Sequence, residues 1–322
     1  MVHSQNIKLG KVTIVGAGDV GSTFAFALVQ SGNATEIALI DLNKDLMKGQ
    51  VLDLAHGLPF FPPLDIHDGD VEDYANSHVI VITAGAKQRP SETRIDLLQR
   101  NAQIIETIID DILTQNSPAI IVVVSNPVDI LTYVALKRSG FDRSKVIGSG
   151  TVLDSSRFRY LLSRHCGIDV RNVHAYILGE HGDSEVAPWS MAHFAGMQVD
   201  EYCQLCQKCG NWHRERARIV EEVRDSAYHI IDYKGATYYA IAMALVRIVG
   251  AIIHDQRSVL TVSTLLEGEY DIEDVCLSVP CITTQKGVEQ IIIANLQEKE
   301  KAALARSASV LHEALINLRS KK

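Results

Sequence analysis

The sequence has no apolar run long enough to span a membrane, no surplus of basic residues and no disulfide-type cysteine pattern, and each absence removes a class of function. The longest apolar stretches, residues 119–124 and 238–253, fall short of the roughly 18 residues a span needs, and the second carries Arg247. Lys and Arg number 31 against 39 Asp and Glu, so a formal charge of −8 offers a phosphodiester backbone no cationic footprint, and nucleic acid is not an expected partner. Six cysteines scattered through 322 residues make no disulfide framework. Residues 1–10 lack the basic region and apolar block of a secretory leader, so a reducing cytoplasm is the expected location. Internal repeats, low-complexity tracts and Pro/Ser-rich linkers are also missing.

What remains is an ordinary globular composition, 47% hydrophobic and 22% charged, in a chain long enough for about two domains of roughly 150 residues each. Short β-branched runs at residues 12–15, 36–40, 79–83, 120–125 and 145–147 alternate with segments of helical spacing. Strand, helix, strand in this order implies a parallel sheet with right-handed crossovers. After Gly150 the order changes: a helix over 152–165, strands near 173–178, 259–265 and 275–283, and helices over 211–231, 237–253 and the C-terminal tail. That half reads as a second, mixed domain.

Gly16-Ala17-Gly18-Asp19-Val20-Gly21 matches GxGxxG directly between the first strand and a helix. Glycines there permit a tight turn and a close approach of backbone amides to a pyrophosphate. The second strand ends at Asp41, twenty residues beyond Gly21, where a carboxylate accepts from ribose hydroxyls and repels a 2′-phosphate. NAD is therefore expected over NADP. The fold class that follows is α/β: a Rossmann-type doubly wound parallel sheet over residues 1–150, then a mixed α+β domain over 151–322.

Three further clusters carry chemistry. A polar stretch from Gly85 to Arg94 follows the strand at 79–83 and reads either as a mobile lid or as a solvated connection. Asp154 and Arg157, three apart on a helix, share a face at about 60°, whereas Arg159 points elsewhere; the pair is either part of a site or an ordinary helical ion pair. His181, in Gly179-Glu180-His181-Gly182-Asp183 at a strand end, can exchange a proton near neutral pH.

Together with Ser125-Asn126-Pro127-Val128-Asp129, Leu153-Asp154-Ser155-Ser156-Arg157-Phe158-Arg159 and Lys234-Gly235-Ala236-Thr237-Tyr238-Tyr239, these blocks resemble the bacterial L-lactate dehydrogenases of the lactate/malate dehydrogenase family over nearly the whole chain. The resemblance implies that residues 151–322 form the substrate domain. It implies His181 as proton donor, Asp154 as its orienting partner, Arg157 as the fork that grips the substrate carboxylate, and Arg94 as a cation brought to the carbonyl by the loop. It further implies Gln88, Asn126 and Thr237 beside the substrate, and Gly16, Ala17, Gly18, Asp19, Val20, Gly21, Asp41, Thr83, Ala84, Gly85, Ser125, Asn126 and Ile241 around NAD. The chemistry is coherent, because reducing a 2-keto acid needs an anchored carboxylate, a polarised carbonyl, a hydride and a proton.

Gln88 stands at the family's specificity position. Being neutral, it leaves the second carboxylate of oxaloacetate unpaired at a cost of about 3–5 kcal/mol, so pyruvate and L-lactate are the expected substrates. Arg89 could compensate after a shift in loop register, which keeps a malate dehydrogenase of the same type open, as is a non-catalytic NAD-binding protein. Arg159 and His174 match the positions where bacterial relatives bind the activator fructose 1,6-bisphosphate between subunits, and a homotetramer is expected. Their alternative is a surface arginine and a strand histidine. Cys203, Cys206 and Cys209 form C-x-x-C-x-x-C, but no Cys-Pro continuation follows and only His213 is a nearby ligand. The expectation is that they line one helix face as small apolar groups, with no metal. Arg214, Arg216 and Arg218 alternate with acids and read as a solvated face.

Overall fold

A computed structural model of the chain describes residues 10–87, 92–206 and 210–320. The first half runs β1 (Lys11–Val15), α1 (Asp19–Ser31), β2 (Glu36–Ile40), α2 (Lys44–His56), β3 (Asp65–Asp68), β4 (Val79–Ile82), α3 (Arg94–Thr114), β5 (Ile120–Val123), α4 (Val128–Ser139) and β6 (Val146–Gly148). The second runs α5 (Val152–Cys166), β7 (Val173–His174), β8 (His193–Phe194), β9 (Met197–Gln198), α6 (Val199–Cys206), α7 (Trp212–Lys234), α8 (Tyr239–Ile253), β10 (Ser258–Glu267), β11 (Glu273–Thr284), β12 (Gly287–Ile291) and α9 (Glu298–Ser320).

Strands β3, β2, β1, β4, β5 and β6 pair in that order and in parallel, the doubly wound arrangement whose strand order reverses between β1 and β4. Central strands β1, β4 and β5 are buried along their whole length, as their Val and Ile runs require of a sheet covered on both faces. The carboxyl ends of β1 and β4 therefore flank the crevice where such sheets take ligands.

The sheet does not stop at β6. Ser263 of β10 pairs antiparallel with Gly148, and β11 and β12 extend the same sheet to nine strands. Helix α8 buries Ala242, Leu245, Ile248, Val249 and Ile252, one face at three- and four-residue spacing, within the same interior as Phe24, Ala25 and Leu28 of α1. At about 1.5–3 kcal/mol for each large side chain, this burial makes α8 part of the nucleotide half's core although it follows Gly150 by ninety residues. A smaller separate core gathers Phe158, Leu162, Cys166, Trp189, Cys203, Ile219 and Val223 from α5, α6, α7 and the segment between.

Three expectations need correction. The strand at 79–83 is the fourth, because β3 intervenes: Asp-Ile-His-Asp has a single buried apolar residue and sits on the sheet edge, where no apolar run is required. The strand near 173–178 shrinks to Val173–His174, since Leu178 forms only an isolated bridge to Val186. The helix expected from 237 begins at Tyr239, leaving Thr237 in the break after Gly235, whose φ of 83° ends α7.

Candidate active site

The glycine segment leaves β1 with Gly16 at φ 110°, a conformation that only glycine adopts readily. A Cβ on Gly21 would stand 1.8 Å from the Gly16 carbonyl oxygen, so the first turn of α1 fits against the loop only without a side chain. Gly18 differs: a Cβ there would meet no atom within 4 Å, and as N-cap it offers no side chain to the first amides of α1. An open space next to uncapped helix amides suits a pyrophosphate. Thr83 Oγ1 donates to the carbonyls of Val15 and Gly16 at 3.1 and 3.0 Å, and the Ser125 hydroxyl donates to Ala84 O, which ties the ends of β1, β4 and β5 together. Asp41 accepts from the amides of Ala17 and Asn43 at 2.7 and 2.8 Å, fixing its carboxylate beside the glycine loop with further lone pairs to offer.

Asp154, 2% exposed, holds two partners at once. Its Oδ2 lies 2.6 Å from His181 Nδ1, and its Oδ1 accepts from Arg157 at 2.7 Å. The helix α5 supplies acid and arginine one turn apart, while the histidine arrives from a loop that three other elements hold. Gly179 exchanges two backbone hydrogen bonds with Ser278 of β11; the Glu180 amide donates to Ser307 of α9; and the His181 amide donates to Asp129 Oδ2 of α4 at 2.8 Å. Gly179 has φ 94°, and a Cβ there would stand 2.7 Å from Ser307 Oγ.

Burial opposes charge on both members of the central pair, and their mutual attraction overrides it. For His181 desolvation pulls downward, yet the charge and hydrogen bond of Asp154, helped by Asp129, push its pKa up to about 9. For Asp154 burial raises and His181 with Arg157 lower, and the carboxyl ends below its ordinary range. The histidine is therefore an imidazolium at neutral pH, with its ring a quarter exposed. Two other buried acids face the pair. Burial pushes Asp129 up to about 6 against the hydrogen bonds from Ser263 and the His181 amide. Burial and the Asp154 charge push Glu185 up to about 8, and its Oε1 has no hydrogen-bond partner.

Asn101 of α3, 4% exposed, accepts from the Ala86 amide at 2.8 Å and donates to Asn126 O at 3.1 Å, joining the start of the polar loop to the strand end carrying Asn126. Neither Asn101 nor the positioning contacts of Asp129 and Ser307 carry a local sequence signal. Asn126 itself is exposed and precedes a cis peptide bond to Pro127. Thr237 is half-buried, and Ile241 packs on the main core from the start of α8. Arg94 is the first residue of α3, whose start is fixed by a capping box between Thr93 and Asp96. Its side chain, like Gln88 and Arg89, lies outside the described residues. Arg159 points away from Asp154: its guanidinium donates to Ala175 O at 3.0 Å and stacks on Tyr176, next to the exposed His174.

Residues 10–148 match the lactate/malate dehydrogenase NAD binding domain, and residues 151–321 match the alpha/beta C-terminal domain of the same family. The chain belongs to the lactate/malate dehydrogenase family. As a member it is an NAD-dependent oxidoreductase, and the open amide cradle at Gly18 with Asp41 beside it fits that cofactor. Among its relatives, an L-lactate dehydrogenase of Treponema denticola is 58% identical over 311 residues, covering 97% of this chain and 99% of that protein. One of Acetivibrio thermocellus is 52% identical over 315 residues, covering 98% and 99%. The crystal structure of a lactate dehydrogenase from a Medee basin deep-sea metagenome library superposes with a TM-score of 0.94 at 44% identity, covering 98% of this chain and 99% of that one. Among the described residues no helix of this family member is long and apolar enough to cross a membrane.

Proposed function

We propose that the chain is an L-lactate dehydrogenase that reversibly reduces pyruvate to L-lactate with NADH. One observation carries the reading: a single buried carboxylate, Asp154, holds a charged imidazole on one oxygen and a guanidinium on the other. In this assignment His181 donates its Nε2 proton to the ketone oxygen, while Asp154 fixes the ring and its charge. Arg157 spends one N–H on Asp154 and turns the rest of its planar fork to the substrate carboxylate. The nicotinamide, when bound, supplies the hydride. Residues 1–150 serve the dinucleotide through Gly16 to Gly21, Asp41, Thr83 to Gly85 and Ser125, with Ile241 from α8; residues 151–322 serve the substrate. Arg94 adds positive potential at the carbonyl, Asn126 and Thr237 line the substrate, and the neutral Gln88 favours pyruvate over a dicarboxylate.

The proposal extends to a cytoplasmic homotetramer activated by fructose 1,6-bisphosphate at Arg159 and His174. Its support is that Arg159 bonds to the residue following His174, which puts the two cations on neighbouring positions. NADH consumption with pyruvate and then with oxaloacetate tests the substrate. Pyruvate should be preferred by at least about a hundredfold in kcat/KM, and a preference for oxaloacetate refutes the assignment. Titration of pyruvate affinity with and without the bisphosphate tests the effector: a superimposable pair of curves removes it.

A further inference from the structure

Two interior clusters bring ligand-type side chains together away from Asp154. Glu36, His67 and Asp73 converge at the sheet edge, but the Lys11 ammonium stands among them, 3.0 Å from Glu36 and 2.8 Å from Asp73, and already supplies the cation. The second cluster is soft. His165 and Cys166 close α5, Cys203 comes from α6, and the potential ligand atoms of the three all lie within 4.8 Å of one another.

The geometry is that of coordination. Two thiolates about 2.3 Å from a tetrahedral zinc stand about 3.8 Å apart. The sulfurs of Cys166 and Cys203 are 3.7 Å apart, and the residues are 0% and 3% exposed. A disulfide needs about 2.05 Å, so it requires the two helices to move, whereas a metal does not. The imidazole agrees, since His165 Nε2 is buried with no hydrogen-bond partner. Its other nitrogen faces Glu215 of α7 at 3.8 Å, the side from which a carboxylate orients a metal-bound histidine. Charge balances as well: two thiolates and a neutral imidazole around a divalent ion leave no net charge in the small core.

We propose that His165, Cys166 and Cys203 bind a zinc ion that fastens the end of α5 to α6. Binding releases the two thiol protons, forms two zinc–sulfur bonds and one zinc–nitrogen bond, and involves no change of oxidation state. The C-x-x-C-x-x-C run alone points only to neighbours in sequence. The fold instead supplies the partner of Cys203 from 37 residues upstream. The same helix α5 carries Asp154 and Arg157 at its other end, so the ion braces the element that holds them.

Elemental analysis of the full-length protein, purified under reducing conditions and dialysed against metal-free buffer, tests the site. Expected are about one zinc per chain in the parent and below about a tenth of that in Cys166→Ser and in Cys203→Ser. Cobalt in place of zinc should give sulfur-to-metal charge-transfer absorption that both variants lose. Should the cysteine variants not fold, His165→Ala keeps both thiols and should weaken zinc binding at least about tenfold against a chelator. Three results overturn the proposal: a parent that holds no zinc even after incubation with excess zinc, a zinc content unchanged in all three variants, or a Cys166–Cys203 disulfide found in the purified parent by mass.

Discussion

Replacing Asp154 with Asn keeps the side chain's shape and removes its charge, which isolates what that charge does for His181. The rise of the histidine from 6.5 to about 9, at about 1.36 kcal/mol per pH unit, corresponds to roughly 3 kcal/mol in favour of the imidazolium. In the variant, burial and the Arg157 charge still push downward, so the ring falls to its ordinary value or below. Pyruvate reduction needs the proton, so kcat/KM of the parent should hold up to about pH 9 and decline above it; in Asp154→Asn the decline should begin at least about two pH units lower. At pH 7.5 the variant should lose on the order of a hundredfold or more, from the missing proton and the poorly oriented ring together. Stability should follow the same pair. The His181 contribution is complete below about 6.5 and is lost as pH rises through about 9, while that of Asp154 is present above 3.8 and is lost as pH falls through its lower folded value. The measurements are pH profiles of initial rate and an imidazole titration by NMR. A variant whose activity still breaks near pH 9 refutes the reasoning.

Gly18→Ala and Gly21→Ala should separate binding from folding. The first meets no protein atom within 4 Å and should keep its Tm while NADH affinity by fluorescence titration drops at least about tenfold; the second meets Gly16 O at 1.8 Å and should lose both. Equal loss of Tm in the two contradicts this. Glu185 has its carboxyl raised from 4.5 to about 8, so the folded state keeps a proton that the unfolded chain has released, and stability falls as pH rises across that window. Glu185→Gln, which mimics the protonated form, should raise Tm relative to the parent at pH 8 and not at pH 4.5; calorimetry giving the same difference at both values would show the carboxyl is not held protonated. Asn101→Ala leaves the Ala86 amide and Asn126 carbonyl without their partner, at about 1–3 kcal/mol. Its kcat for pyruvate should fall more than its Tm predicts, whereas an unchanged kcat removes Asn101 from the positioning scheme.

The nucleotide end was legible because its signals are local. Strand, glycines, helix and Asp41 fall within about thirty residues, and each glycine answers a steric demand visible in the chain order. β3 escaped notice because an edge strand with one buried side chain leaves no periodic trace. Asn101, Asp129 and Ser307 escaped for another reason: they act on Ala86, His181 and Glu180, which are 15, 52 and 127 residues away in sequence. The cysteine run misled in the same way, because Cys203 meets Cys166 rather than the ligand sought downstream.

Composition, β-branched runs and the spacing of Gly16 to Asp41 determined the α/β class and the kind of cofactor, since these depend on backbone freedom and periodicity that adjacent residues set by themselves. Only the tertiary structure decided how far the sheet extends, which core α8 joins, and that Asp154 faces both His181 and Arg157. The protonation of that histidine depends on low-dielectric contact between charges 27 residues apart, a quantity that exists only once α5, α4, β11 and α9 have closed around the loop.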